Sequence, residues 1–321
     1  MGLPVDLDAV LRARETIAGR ILRTPMLGSR TLSELTGAHV RLKAELFQRT
    51  GSFKVRGVLA KVASLTGDER RSGVVTWSAG NAAQAVAWAA AGAGIDCRVF
   101  MWRTANPLKV AATRGYGAVV DLEAANAAEA YERLLAHVEE TGAVFVHPFD
   151  DPVLHAGHGS LGVEILEDVP HAATVVVPIG GGGLISGVAV AVKSLRQEAR
   201  LVGVEPDGAA GMTSALAAGE VVPIAPETVA DGLAAPFAGE GTLAVCRELV
   251  DEVVVVRDDE IEEAFRFLYA RAKLACEPAG AASTAALLAG KVAPEAGSET
   301  VAVVSGGNVA PETASAILAA R

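Results

Sequence analysis

The residues best suited to chemistry are one lysine in a small-residue setting and three glycine- or serine-rich turns. Lys54 lies in the segment Thr50-Gly51-Ser52-Phe53-Lys54-Val55-Arg56-Gly57. A lysine is most often a solvated surface residue. To act as nucleophile and base its amine needs partial burial, which lowers its pKa. Composition around Lys54 does not show such burial, so both readings stay open at this level.

The first turn, Ser78-Ala79-Gly80-Asn81, follows the apolar run at 74–77 and precedes an Ala-rich helical stretch. Small residues at a helix start leave backbone N–H groups open to an anion, although Ser78 or Asn81 could equally serve as a plain N-cap. The second is Gly180-Gly181-Gly182-Gly183, set between an apolar strand and an apolar helix. Four glycines let the backbone wrap a tetrahedral anion with several donors, and the helix dipole adds to the attraction. A glycine run can also be a flexible linker, but this tight placement argues against one. No Gly-Lys-Ser/Thr follows, so it is not a Walker A loop. The third turn, Ser305-Gly306-Gly307-Asn308, again ends an apolar run. Alone it would read as a simple turn; three such turns in one chain point to a phosphate-bearing ligand in a cleft.

Gly157-His158-Gly159-Ser160-Leu161-Gly162 satisfies the G-x-G-x-x-G spacing of dinucleotide sites. The residues before it, Asp151-Pro152-Val153-Leu154-His155-Ala156, read as a helix start and not as a strand, which speaks against a nicotinamide cofactor. His155 and His158 have no further ligand cluster and read as ordinary polar groups on a helix. Cys97, Cys246 and Cys276 are far apart and odd in number, supporting neither a disulfide framework nor a zinc knuckle.

The elements that must position these groups alternate between short β-branched runs and Ala-rich stretches, the pattern of an α/β fold with a largely parallel sheet. Strands are predicted at 74–77, 98–101, 118–122, 144–147, 174–179, 201–204, 253–256 and 301–304. Helices are predicted at 82–91, 124–140, 184–195, 258–276 and 311–320. Runs such as Val175-Val176-Val177 do not alternate, which suits strands covered on both faces. The stretch 146–152 is the best candidate for a chain crossing between domains.

With 321 residues and 51% hydrophobic content, the chain can bury a large core and divide into two domains. A net charge of −10 and a pI near 5.2 argue against a nucleic-acid partner. No apolar run reaches the ~18 residues of a membrane span. Met1-Gly2-Leu3-Pro4-Val5-Asp6 lacks a basic region followed by an apolar stretch, so no secretory signal and a cytoplasmic location are expected.

In order along the chain stand Arg23-Thr24-Pro25, Leu42-Lys43-Ala44-Glu45, Gln48-x-Thr50-Gly51-Ser52-Phe53-Lys54-x-Arg56-Gly57, Ser78-Ala79-Gly80-Asn81, the glycine tetrad with Leu184, Val204-Glu205-Pro206, Ala230-Asp231-Gly232, Glu277-Pro278-x-Gly280 and Ser305-Gly306-Gly307-Asn308. This set resembles the fold-type II pyridoxal-phosphate (PLP) enzymes, nearest to their threonine/serine dehydratase (ammonia-lyase) and serine racemase branch.

The resemblance implies a tryptophan-synthase-β-like α/β fold: two open, mainly parallel sheets with flanking helices and the cofactor in the cleft between domains. A large domain would comprise 1–49 and 147–321, with a small domain, 50–146, inserted in it. Lys54 would hold PLP as a Schiff base, with Phe53 beside the ring. Gly180, Gly181, Gly182, Gly183 and Leu184 would bind its phosphate. Asn81 would bond its 3′-oxygen, and Ser305 would face the pyridine nitrogen. A neutral hydroxyl there stabilises a long-lived carbanion less than a carboxylate would, favouring prompt loss of a β-leaving group. Ser78, with backbone donors through Ala79, Gly80, Asn81 and Ala82, would clamp the substrate carboxylate. The implied reaction is β-elimination on L-threonine or L-serine. Lys54 takes the α-proton, the cofactor acts as electron sink, and the products are a 2-oxo acid and ammonia.

Three positions depart from the family pattern. Ala79 stands where serine racemases carry the serine that protonates the opposite face, which disfavours racemisation. Ala82 replaces the usual histidine and makes room for a bulkier or unusual β-substituted amino acid, such as 3-hydroxyaspartate, phenylserine or a compatible-solute catabolite. At the family's cation site, Glu205 and the Ala209 carbonyl remain, but Gly211 replaces an acidic residue, leaving a divalent or monovalent cation in doubt. The resemblance further implies a homodimer or homotetramer. The regulatory extension of biosynthetic threonine dehydratases is not seen, so control by isoleucine is not expected. A PLP-binding protein without turnover is the remaining alternative; retention of Lys54, Asn81, the tetrad and Ser305 speaks against it.

Overall fold

A computed structural model describes residues 2–320 and divides ten strands between two sheets. The strands are β1 (Met26–Gly28), β2 (His39–Ala44), β3 (Val74–Trp77), β4 (Cys97–Trp102), β5 (Val119–Ala124), β6 (Val144–Phe145), β7 (Ala172–Pro178), β8 (Arg200–Pro206), β9 (Glu252–Val256) and β10 (Glu299–Val304). The larger sheet runs β1-β2-β10-β7-β8-β9, parallel throughout except where β1 pairs antiparallel to β2. The smaller, β5-β4-β3-β6, is wholly parallel and drawn from one continuous stretch of chain.

Each run predicted as a strand is one, with ends shifted by up to two residues. Val175, Val176 and Val177 are fully buried because helices cover both faces of the larger sheet. On one face lie Leu7–Ile17, Lys54–Ser64, Pro152–Asp168 and Gly183–Leu195; on the other lie Asp258–Phe267 and Pro278–Leu288. Two predicted helices differ. The one expected at 124–140 begins at Ala127, because Ala124 closes β5 and the Asn126 side chain accepts from Glu129 N at 3.0 Å as N-cap. The one expected at 258–276 ends at Phe267 and passes into a π turn, Leu268–Ala272, which the chain leaves at Lys273 with φ +62°. Strands β1 and β2 were not foreseen: Arg41 and Lys43 break the apolar pattern of β2.

The G-x-G-x-x-G segment lies inside the helix Pro152–Asp168, where its glycines allow close helix packing. A Cβ on Gly157 would fall 2.5 Å from the Arg56 carbonyl, and one on Gly57 would fall 2.5 Å from that of Leu154. The helix that begins at Lys54 is thereby pressed onto its neighbour. Among the described residues no helix is long and apolar enough to cross a membrane.

Candidate active site

Lys54 is delivered by an unusual turn. Thr50 (φ +59°) and Gly51 (φ +74°) reverse the chain, Ser52 bridges to Gly306, and Phe53 N donates to the Ser305 carbonyl at 3.1 Å. The lysine segment is thus fastened to the third glycine-rich turn before the helix Lys54–Ser64 begins. Lys54 Nζ donates to the Pro148 carbonyl at 2.7 Å and stands 5.2 Å from the centre of the Phe53 ring. Burial disfavours its charged form and pushes its pKa down from 10.5 to about 8, against an opposing pull from Glu277. The partial burial that the sequence left open is present. Phe53 is backed edge-on by His158, 4.9 Å away. His158 accepts from Gly57 N at 3.1 Å through Nδ1, and burial holds it neutral. It and His155, whose Nε2 lies 2.7 Å from the Phe149 carbonyl, are buried polar groups on the helix Pro152–Asp168.

The first turn opens the helix Asn81–Ala93, yet neither Ser78 nor Asn81 caps it. Ser78 Oγ accepts from Gly80 N at 3.1 Å. Asn81 Nδ2 donates to Glu277 Oε1 at 2.6 Å, and its Oδ1 accepts from Asn308 at 2.8 Å. The plain-cap reading therefore fails.

The glycine tetrad bridges β7 and the helix Gly183–Leu195. Gly182 has φ +94°, which favours glycine. A Cβ on Gly181 would fall 2.2 Å from the Phe149 ring, and one on Gly183 would fall 2.6 Å from the Phe149 carbonyl. Thr242 Oγ1 holds the loop by donating to the Gly181 carbonyl at 2.8 Å. At a helix start the first N–H groups have no intrahelical acceptor, which makes this cradle an anion site.

The tetrad, Leu184, Phe53, Lys54, Asn81, Glu277 and Ser305 line one cavity. It adjoins a second of about 430 Å3, bounded by Ser78, Ala79, Gly80, Asn81 and Ala82, with Lys54, Asn81 and Gly181 lining both. Every residue expected at the cofactor and the substrate therefore meets at the carboxyl ends of the parallel strands. Trp77 and Trp102 wall the second cavity, and a Lys109–Asp231 ion pair lies at it. The sequence assigns no role to those four residues or to Glu277 and Asn308; Asp231, Glu277 and Asn308 lie within the motif set, whereas the tryptophans carry no local signal.

Glu205 is placed differently. Its Oε1 accepts from Met212 N at 2.7 Å, and its Oε2 accepts from Thr213 N at 2.9 Å and Oγ1 at 2.7 Å. The carboxylate thus caps the helix Gly211–Ala218, while Ala209 is buried in the turn before it. Among the described residues no group of three or more His, Cys, Asp or Glu side chains is placed to hold a metal.

Arg56, Glu45, Glu164 and Lys43 form a buried ionic network behind Lys54, which reaches the surface at Asp168 and the half-exposed Arg23. Arg56, fully buried, donates to Glu45 Oε2 at 2.7 Å and to Glu164 Oε1 at 2.8 Å. Lys43 Nζ lies 3.1 Å from both Glu164 and Asp168, and Arg23 reaches Asp168 at 2.5 Å.

Residues 17–306 match the pyridoxal-phosphate dependent enzyme family. The chain belongs to that family. It is 45% identical over 285 residues to an L-threonine ammonia-lyase of Thermotoga maritima, covering 88% of this chain and 71% of that one. It is 44% identical over 291 residues to the catabolic L-threonine dehydratase TdcB of Escherichia coli K12, covering 90% and 88%. Among solved structures, maize serine racemase superposes with a TM-score of 0.93 at 37% identity, covering 97% of this chain and 95% of that one. The T.th. threonine deaminase gives 0.89 at 39%, covering 95% and 99%. The fold is that of the fold-type II PLP enzymes, as the motif set implied.

The site fits this cofactor. It offers a desolvated lysine amine, a glycine loop packed so closely against Phe149, Leu233 and Thr242 that no Cβ is tolerated, and a buried carboxylate oxygen, Glu277 Oε2, with no hydrogen-bond partner among the described residues. An unmatched buried polar atom is costly unless a ligand meets it.

Proposed function

We propose that the protein is a PLP-dependent ammonia-lyase that eliminates water from L-threonine or L-serine, the resulting enamine then being hydrolysed by water to a 2-oxo acid and ammonia. The observation that carries this reading is the meeting of a desolvated Lys54 amine with three donor-rich turns in one cleft. The named activities of the relatives above support it.

Lys54 would carry the cofactor on Nζ, and the first turn of the helix Gly183–Leu195, with its tetrad, would hold the phosphate. Phe53 would support one face of the ring and Ser305 would face its nitrogen. When bound, the cofactor supplies an electron sink for the pair left behind as the α-proton departs. Nζ of Lys54, once free, would receive that proton; its lowered pKa keeps a substantial neutral fraction near neutrality. Ser78 Oγ and the N–H groups from Ala79 to Ala82 would hold the substrate carboxylate and so fix which α-bond faces Lys54. Ala79 has no proton to deliver to the opposite face, which favours elimination over racemisation. Neither Glu205 nor Ala209 is assigned a cation in this chemistry.

A second reading, an ammonia-lyase for a bulkier β-hydroxy amino acid, is favoured by the alanine at 82 and by the Trp77 and Trp102 walls. The domain division at 50 and 146 is supported by the smaller sheet, whose strands all lie within that stretch. A homodimer or homotetramer in the cytoplasm rests on resemblance alone.

The test is incubation of purified holoenzyme with L-threonine, L-serine, 3-hydroxyaspartate and phenylserine, reading oxo acid and ammonia. Turnover of threonine or serine supports the first reading, and turnover of phenylserine alone moves the assignment to the second. Absence of a borohydride-trapped adduct on Lys54 would overturn both.

A further inference from the structure

Asn81 is gripped from two sides by residues outside the roles described so far. Asn308 Nδ2 donates to the Thr50 carbonyl at 2.7 Å and to Asn81 Oδ1 at 2.8 Å. Asn81 Nδ2 in turn donates to Glu277 Oε1 at 2.6 Å. The polarity of this chain is fixed at its origin, because a backbone carbonyl can only accept. Asn308 must therefore turn its nitrogen to Thr50. The second hydrogen on that nitrogen reaches Asn81, so the Asn81 atom it meets is oxygen. The Asn81 nitrogen then faces Glu277 Oε1, which accepts from it whether or not Oε2 carries a proton, burial having pushed the Glu277 pKa up to about 7. The Thr50 carbonyl thus sets the orientation and the Glu277 contact agrees with it, and one of the two hydrogens on Asn81 Nδ2 stays uncommitted in a residue lining the cofactor cavity.

The surrounding backbone is shaped to seat both partners. A Cβ on Gly51 would fall 2.3 Å from Asn308 Oδ1, and one on Gly306 would fall 2.3 Å from Glu277 Oε1. Glu277 N donates to the Gly306 carbonyl at 3.0 Å, which ties the carboxylate to the same turn that carries Asn308.

We propose that Asn308 and Glu277 are positioning residues for the cofactor, locking the Asn81 amide so that its N–H, and not its oxygen, meets the ring oxygen of PLP. This rests on the reading of Asn81 as a cofactor contact. An unconstrained amide can rotate by half a turn and set one lone pair against another. The lock removes that state without either positioning residue touching the ring oxygen.

The test is titration of apoprotein with PLP, reading the dissociation constant and the visible absorption of the bound cofactor. Asn81→Ala is expected to weaken binding about tenfold, the weight of one buried hydrogen bond, and to shift the absorption band. Asn308→Ala is expected to do the same, and the double variant to be no worse than Asn81→Ala. Glu277→Ala should also weaken binding, and Glu277→Gln, which keeps an acceptor for Asn81, should restore most of it. Effects of Asn308→Ala and Asn81→Ala that multiply in the double variant would overturn the lock while leaving Asn81 as a contact. An Asn81→Ala protein with unchanged affinity and absorption overturns both. Should Asn308→Ala fail to fold, the Glu277→Ala and Glu277→Gln pair decides: equal losses in the two overturn the proposal.

Discussion

Lys54 Nζ rests 2.7 Å from the carbonyl of Pro148, in the stretch that leaves β6 for the larger sheet. A carbonyl satisfies one proton of the amine but brings no countercharge. Glu277 is the group that pulls the lysine back towards its charged form, and desolvation outweighs it.

The rate at which apoprotein captures PLP should rise with pH through about 8 and level off above it. The neutral amine is the nucleophile, and a surface lysine would still be rising at 10.5. Because the folded pKa is depressed, the lysine's contribution to apoprotein stability is present above 10.5 and lost as pH falls through about 8. Capture followed by rapid-mixing absorbance checks the first point; urea unfolding of wild type and Lys54→Met across that range checks the second.

Gly181→Ala should loosen the cofactor without changing the lysine. Its Cβ would sit 2.2 Å from the Phe149 ring, so the loop must shift. Overpacking of this kind costs about 1–3 kcal/mol, or roughly fivefold to 150-fold in PLP affinity if the loop bears the strain. Equilibrium titration with PLP measures it.

Arg56→Met should destabilise the fold by about 3–5 kcal/mol, since it strips the buried Glu45 of its guanidinium partner and leaves Glu164 with Lys43 alone. Arg56→Lys should recover only part of this, as an ammonium cannot satisfy both carboxylates in paired fashion. Chemical unfolding of the apoproteins provides the comparison.

Dialysis against a chelator should leave activity unchanged. Both oxygens of Glu205 already accept hydrogen bonds from the start of the helix Gly211–Ala218. Glu205→Ala is expected to lower stability by about 1–2 kcal/mol, as for loss of a helix cap. Loss of turnover on chelation, restored by a specific ion, would contradict this.

Ala79→Ser should bring a transferable proton to the wall of the substrate cavity. Chiral chromatography of L-serine incubations should then show D-serine with the variant and none with the wild type.

Much of the site could be read before folding because its parts are local. The glycine tetrad announces itself by standing between a buried strand and an apolar helix, and the backbone donors it exposes follow from that position. Ser78-Ala79-Gly80-Asn81 and Ser305-Gly306-Gly307-Asn308 are likewise set by strand-to-helix turns. The strands of both sheets were legible wherever they are covered on two faces and so carry unbroken apolar runs. β2 was not, because Lys43 turns into the ionic network and Arg41 pairs with Glu299, so buried or paired charges mimic a surface.

Other features exist only in three dimensions. Whether Lys54 is a surface lysine or a desolvated nucleophile depends on Pro148, Phe53 and Glu277 closing around it, and two of those three are remote in the chain. The same holds for Gly157-His158-Gly159-Ser160-Leu161-Gly162, whose spacing suits a dinucleotide turn but whose glycines let helices touch. Asn81 by itself could have been a helix cap. It becomes a candidate cofactor contact because Asn308 and Glu277, over 190 positions away, take hold of its amide. Sequence sets which groups can donate or accept; burial and the convergence of distant segments decide what each donates to.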